Sequence, residues 1–382
     1  MRYYIIAGEA SGDLHGSNLI RELKKRDTDA DIRCWGGDLM QAAGATLVKH
    51  YSELAFMGFV EVIANLRTIF RNLDFCKQDI TEFRPDAIIF IDYPGFNLRI
   101  AKWAKEKGYR TIYYISPQVW AWKENRVKGI RENVDKMLVI LPFEKGFYDK
   151  WNYPVEYVGH PLVEVINQFK AAHPDLKPDP KLIALLPGSR KQEILQKLPV
   201  MLEVSRSFPD YRFVVAMAPG QPDSFYEPLL GPFPNVSAVR NATYPLLTQA
   251  AAAMVTSGTA TLETALFGVP EVVCYKGNRI SYLIAKRLIK VKYISLVNLI
   301  VDKLIVKELI QDEMNVENLS AELDRLLHNE SARRQLEKEY HDLREILQQG
   351  GNASAQAAES IWNFMLGGTR DLTSGKRQNG RA

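Results

Sequence analysis

Short apolar runs alternate with amphipathic stretches along most of the chain. Residues 3–7, 32–35, 87–91, 110–115 and 136–141 are apolar runs of strand length, and residues 14–25 and 99–107 repeat their apolar positions at helical spacing. Unbroken apolar runs, as opposed to alternating ones, predict strands buried on both faces, as in a parallel sheet covered by helices. Between residues 169 and 180 the pattern breaks, with Pro174, Pro178 and Pro180 set among polar residues, which marks a linker. It then restarts, with strands at 182–186, 213–217, 252–256 and 271–275 and a helix at 191–205. Each half opens with a strand feeding a glycine turn, YIIAGEASGD in the first and IALLPGSRKQE in the second. The expectation is an α/β protein of two Rossmann-like, doubly wound domains, residues 1–170 and 171–345, facing each other across a cleft lined by strand C-terminal ends. Residues 346–367 are expected to form a helix packing back on the first domain. Residues 368–382, basic and without an apolar face, are expected to be a disordered tail.

Composition removes several classes of function. With 382 residues, 46% hydrophobic and 25% charged, the chain is of globular type with room for about two domains. A net charge of +4, without aromatics interleaved among arginines, gives no footprint for nucleic acid. Cys34, Cys76 and Cys274 lie far apart and form no C-x-x-C pair, against both a disulfide scaffold and a zinc site. Met1 runs straight into a strand-like segment with no signal-peptide pattern, and no apolar run approaches the ~20 residues that span a bilayer. A cytoplasmic protein with at most peripheral membrane contact is expected.

The candidate chemistry sits in the turns at strand ends. MVTSGTATLETALFGVP, residues 254–270, reads as a strand, a tight turn and a helix start. Such a start presents unpaired N–H groups and the positive end of the helix dipole, and Ser257, Gly258 and Thr259 there suit a phosphate or diphosphate as well as an ordinary N-cap. Ser189 and Arg190 in Pro187-Gly188-Ser189-Arg190 place a hydroxyl and a guanidinium, able to pair a phosphate bidentately, at a second helix start. In the first half, Gly8-Glu9-Ala10-Ser11-Gly12-Asp13 crowds two carboxylates and a serine into one turn but is not the G-x-G-x-x-G of dinucleotide sites. G-x-x-x-x-G-K-[ST] is absent, which argues against a P-loop hydrolase. Asp27, Asp29 and Asp31 spell D-x-D in what reads as a solvated turn, and the six histidines show no ligand spacing, so neither metal nor cofactor is expected.

Taken together, GEASGDLHG (8–16), IDYPGFN (91–97), SPQVWAW (116–122), GHPL (159–162), LPGSR (186–190), SGTATLE (257–263), NLI (298–300) and KELIQ (307–311) resemble the lipid-A-disaccharide synthase family. The motifs come in the family's order and span nearly the whole chain apart from the basic tail. The resemblance implies a metal-independent hexosyltransferase of GT-B fold in lipid A, hence lipopolysaccharide, biosynthesis. Its inverting reaction joins UDP-2,3-diacylglucosamine to 2,3-diacylglucosamine 1-phosphate (lipid X), giving a β-1,6-linked disaccharide 1-phosphate and UDP. Carried onto this chain, the resemblance makes Asp92 the first choice of general base, with Glu9 and Asp13 as competitors. Arg190, assisted by Ser189 and the 257–259 helix start, would stabilise the departing UDP, and Glu263 would hold the ribose hydroxyls. Asn298, Glu308 and Gln311 would bind the donor sugar or nucleotide, and Ser11 would face the acceptor.

Acylated substrates imply contact with an anionic membrane surface, at the cytoplasmic face of the inner membrane. Phe56, Met57, Phe59, Val60 and Ile63 begin an apolar stripe at helical spacing that continues through Leu66, Phe70 and Leu73, suited to an interfacial helix or to a core. Lys286 and Arg287 belong to a basic stretch, 276–292, without any acid, suited to headgroups or to the acceptor's phosphate. Two other readings keep the same anion loops: a UDP-sugar 2-epimerase-like isomerase, which shares the architecture, and a non-catalytic nucleotide-sugar or lipid-binding protein, which needs no base at Asp92.

Overall fold

The computed structural model describes residues 1–54, 66–122, 124–278 and 292–374. The chain divides into two compact units, Met1–Pro161 with Gln348–Ala382, and Leu162–Leu347. The crossing at Pro161 precedes the proline-rich stretch, because the helix Pro161–Ala172 carries Phe169, which packs edge-on against Tyr244 and Phe267 of the second unit.

In the first unit, β1 (Arg2–Ala7), β2 (Asp31–Gly36), β3 (Thr46–His50), β4 (Ala87–Ile91), β5 (Arg110–Tyr114), β6 (Lys136–Val139) and β7 (Glu156–Tyr157) form one sheet. Its order is β3-β2-β1-β4-β5-β6-β7, with every pair parallel. Side chains of a strand alternate between faces, so the buried runs feed two cores. Tyr4, Ile6, Ile88 and Phe90 pack with Leu73, Cys76 and Ile80 of the helix Leu66–Phe83. Tyr3, Ile5, Ile89 and Ile91 pack with Leu19, Ile20 and Leu23 of the helix Ala10–Arg26, and with Ala357, Ala358 and Ile361 of the helix Ala353–Ser374. That last helix continues past Gly367, into the segment expected to be tail, before the described residues end.

The second unit repeats the plan with β8 (Leu182–Leu186), β9 (Arg212–Met217), β10 (Val236–Arg240), β11 (Ala252–Thr256), β12 (Glu271–Tyr275) and β13 (Lys307–Ile310) in the order β10-β9-β8-β11-β12-β13. Both sheets reverse direction of growth once, at β1/β4 and at β8/β11. At such a switch point two helices leave on opposite faces and a crevice opens beyond the strand C-termini. Register makes this concrete: Ala7 lies opposite Ile91, and Leu186 opposite Val255. The turns that follow these four strands are the ones that carry the candidate chemistry.

Among the described residues no helix is long and apolar enough to cross a membrane. Asp27 is not part of a solvated turn: it is buried and accepts from the amino group of Met1 at 2.8 Å. No group of His, Cys, Asp or Glu among the described residues could hold a metal ion.

Candidate active site

In the second unit the turns after β8 and β11 enclose a cavity of about 260 Å³. Gly188 and Ser189 line one side, with Glu193 from the helix Lys191–Ser205; Thr256, Gly258, Thr259 and Glu263 line another. Gly188 (φ +119°) and Gly258 (φ +151°) occupy backbone conformations that L side chains rarely adopt, which lets both turns fold back tightly at the helix starts. The helix Thr259–Phe267 begins with no side-chain cap, and Thr259 and Ala260 of its first turn line the cavity, while the Thr261 N–H donates to the Gly258 carbonyl. Residues 216–219, at the end of β9 and just beyond it, and Thr243 complete the wall.

Glu263 is held by the Tyr244 hydroxyl, which donates to Oε1 at 2.8 Å. Burial pushes this carboxyl above the ordinary range, and the Tyr244 hydrogen bond draws it back. With Oε1 engaged, Oε2 is left for a ligand hydroxyl. The Thr256 hydroxyl is buried with no partner among the described residues, so it too has hydrogen-bonding capacity to spare. Neither Tyr244 nor Thr256 carried a sequence signal, since no motif or spacing ties them to Glu263. Glu193 had one, as the i+3 partner of Arg190, and the two lie 3.8 Å apart as an ion pair. Arg190 is exposed and is not among the residues lining the cavity.

Four expected site residues, Ser257 of the cavity wall among them, already hold hydrogen bonds within the fold. The Ser257 hydroxyl donates to the Ile294 carbonyl at 2.7 Å, so its proton is committed to the fold. Asn298 is buried: its Nδ2 donates to Val306 O and Glu308 Oε1, and its Oδ1 accepts from the Ile305 and Val306 amides. Glu308 also accepts from the Ile294 and Ser295 amides at 3.0 Å. Asn298 and Glu308 thus tie the helix Leu296–Val301 to β13. Gln311 differs. Its Oε1 accepts from Gly277 N at 3.3 Å, while its Nε2 is buried without a partner among the described residues.

The fourth is Asp13, in the first unit. It is 3% exposed, and its carboxylate accepts from the amides of Gly37 at 2.8 Å, Leu39 at 3.1 Å and Met40 at 3.0 Å. It caps the short helix Asp38–Ala42 from a distance, which commits most of its accepting capacity to the fold. Glu9 and Ser11, at the start of the helix Ala10–Arg26, are exposed.

Asp92 follows β4 with φ +44°, and Tyr93 follows with φ +47°. Two consecutive left-handed residues turn the chain sharply into the helix Pro94–Glu106. The turn is held from behind: Asn97 Nδ2 donates to the Asp92 carbonyl at 2.8 Å, and the Tyr113 hydroxyl donates to the same oxygen. Gly8 admits the Tyr93 ring, because a Cβ there would fall 2.3 Å from Tyr93 Cγ. Burial, then the charge of neighbouring Glu9, pushes the Asp92 carboxyl up to about 6, against the pull of the Tyr93 N–H. A carboxylate of this kind accepts protons near neutral pH. His160 is unsuited to that work, being buried and pushed down to about 3 by burial and by His15.

The family model described as Lipid-A-disaccharide synthetase matches residues 3–362. The chain belongs to the lipid-A-disaccharide synthase family. It is 40% identical to the lipid-A-disaccharide synthase of Geobacter metallireducens, over 92% of this chain and 94% of that one. It is 39% identical to that of Syntrophus aciditrophicus, over 94% and 96%. Among solved structures the fold is similar to the glycotransferase of kitacinnamycin (TM-score 0.66, 18% identity, covering 95% of this chain and 98% of that one). It is also similar to the UDP-GlcNAc 2-epimerase of Methanocaldococcus jannaschii in complex with UDP-GlcNAc and UDP (TM-score 0.62, 13% identity, 95% and 100%). The GT-B fold is therefore shared by transferases and epimerases, and membership of the synthase family makes this chain a hexosyltransferase. Phe56, Met57, Phe59, Val60, Ile63, Lys286 and Arg287 lie outside the described residues.

Proposed function

We propose that the protein condenses UDP-2,3-diacylglucosamine with 2,3-diacylglucosamine 1-phosphate, with inversion, to the β-1,6 disaccharide 1-phosphate and UDP. Asp92 takes the proton of the acceptor's 6-hydroxyl as that oxygen bonds to the donor's anomeric carbon. The bond from that carbon to the diphosphate breaks, and its electron pair leaves with UDP. The second unit's cavity holds UDP, with the N–H groups at Gly258 and Thr259, Ser189 and Arg190 receiving the developing charge. Glu263 Oε2 takes a ribose hydroxyl, and Gln311 Nε2 donates to the donor.

The observation that carries this reading is the half-buried carboxyl of Asp92, raised toward neutral pH and set on a strained turn. A binding protein would gain nothing from keeping it there. The membrane side of the reading is that the protein works peripherally on an anionic surface at the cytoplasmic face. Phe70 and Phe75, 58% and 44% exposed on the helix whose other face is core, support it. The test supplies purified protein with both acylated substrates and follows the products by mass and by UDP release. Disaccharide from wild type, and none from Asp92→Asn with UDP binding intact, is the expected result. An intact fold that yields no disaccharide overturns the reading.

A further inference from the structure

In the first unit a groove of about 440 Å³ runs between the helices Pro94–Glu106 and Arg126–Asn133, and it is unused by the mechanism above. It opens at Pro94 and Gly95, two and three residues after Asp92, and continues past three exposed cations, Arg99, Lys102 and Arg126. No carboxylate is among the described residues lining it. Arg99 Nη1 donates to the Gly95 carbonyl at 2.8 Å, which leans the guanidinium along the groove toward its Asp92 end. Lys102 makes no hydrogen bond or ion pair with the described residues. Both helices carry a glycine on the groove wall, Gly95 and Gly129. Neither has positive φ, and a Cβ at either would meet nothing within 4 Å. A helix glycine that neither backbone nor packing requires weakens the helix relative to alanine. Here its effect is to keep the groove wide beside the cations.

We propose that this groove binds a phosphomonoester, namely the 1-phosphate of the acceptor, and so aligns the acceptor's 6-hydroxyl with Asp92. The assignment rests on the reading that the acceptor is a sugar 1-phosphate. Like-signed cations around a groove with no acid among its described lining residues suit a dianion, and on a hexopyranose the 6-hydroxyl and the anomeric phosphate flank the ring oxygen. One end of the acceptor would then be pinned at the cations while the other meets the base. An anionic lipid headgroup offers the same phosphate chemistry, and the arms of the test separate the two.

The test uses the whole protein in detergent-mixed micelles and compares wild type with Lys102→Ala, Arg126→Ala and Gly129→Ala. Turnover is measured with 2,3-diacylglucosamine 1-phosphate and with the same sugar lacking phosphate, and pelleting with phosphatidylglycerol vesicles is measured alongside. Each lost cation is expected to raise the KM for the phosphorylated acceptor roughly tenfold. The preference for phosphorylated over unphosphorylated acceptor should fall to match, and the donor KM should stay put. Gly129→Ala should raise the acceptor KM while raising the Tm, a combination that damage to the fold cannot produce. Unchanged acceptor KM in the cation variants overturns the proposal, and if vesicle pelleting alone is lost, the groove binds headgroups instead. A wild type that makes no disaccharide overturns the proposed function itself, and the groove assignment with it.

Discussion

Replacing Asp92 by Asn should move activity and stability in opposite directions. In the folded chain the Asp92 carboxyl titrates near 6, against an ordinary 3.8, so the native state holds this proton more tightly than the unfolded chain does. The sign follows. The stability contributed by the protonated form is present below about pH 3.8 and is lost as pH rises through 6. At ~1.4 kcal/mol per pH unit, keeping the carboxylate ionised costs the fold at most ~3 kcal/mol at pH 8. Asparagine removes the charge and, like aspartate, tolerates φ +44°, so it brings no new backbone strain.

The Asn variant should therefore melt at most roughly 6–12 °C above wild type at pH 8, with the difference closing as pH approaches 4. Its turnover should fall by about 10²–10⁴ through loss of the base. Thermal melts across pH 4 to 8 and UDP-release rates measure both. In wild type the acidic limb of kcat/KM should lie near pH 6, and Glu9→Gln should move it downward by removing the second cause of the raised value. A variant less stable than wild type at pH 8, or one that still turns over, refutes the reasoning. If instead Glu9→Gln is dead and Asp92→Asn is active, Glu9 is the base.

Tyr244→Phe should weaken UDP binding by about tenfold in calorimetry, because Glu263 loses the donor that orients it, while the acceptor KM holds. Asn298→Ala should lower stability by about 3 kcal/mol in denaturant melts, since it leaves the Ile305 and Val306 amides and Glu308 short of partners. An unchanged midpoint would show that the tie between the Leu296–Val301 helix and β13 is not structural. Asp13→Ala should cost roughly 2–3 kcal/mol by freeing three amides, with kcat per folded molecule retained. Collapse of kcat without a change in Tm would return Asp13 to the chemistry.

The strands legible in the sequence and those that were not divide along a physical line. The interior strands β1, β2, β4, β5, β6, β8, β9, β11 and β12 all stand out as apolar runs, because each is covered on both faces. The edge strands β3, β7, β10 and β13 did not. An edge strand has one ladder neighbour and half-exposed side chains, so Thr46–His50 and Val236–Arg240 carry no fully buried residue and read as loop. The helix Pro94–Glu106 was placed five residues late for a different reason: Pro-Gly reads as a turn, yet proline at N1 is a helix start.

For the site, the sequence shows which residues stand at strand ends but not which lone pairs are already taken. Asp13, Asp92, Glu263 and Glu308 are four carboxylates in motif positions, alike as letters. Asp13 and Glu308 are well supplied within the fold, by three amides in one case and by two amides and Asn298 in the other. Among the described residues Asp92 accepts only from the neighbouring backbone, and Glu263 from one phenol. A carboxylate with three donors has less left to offer a proton or a sugar hydroxyl, whereas an under-coordinated, half-buried one is raised in pKa and gains by meeting a ligand. The same accounting separates Ser257, whose proton is spent on Ile294, from Thr256 at the end of β11, whose hydroxyl has no partner among the described residues. Spacing brings these residues to the crevice, and unmet hydrogen-bonding capacity selects among them.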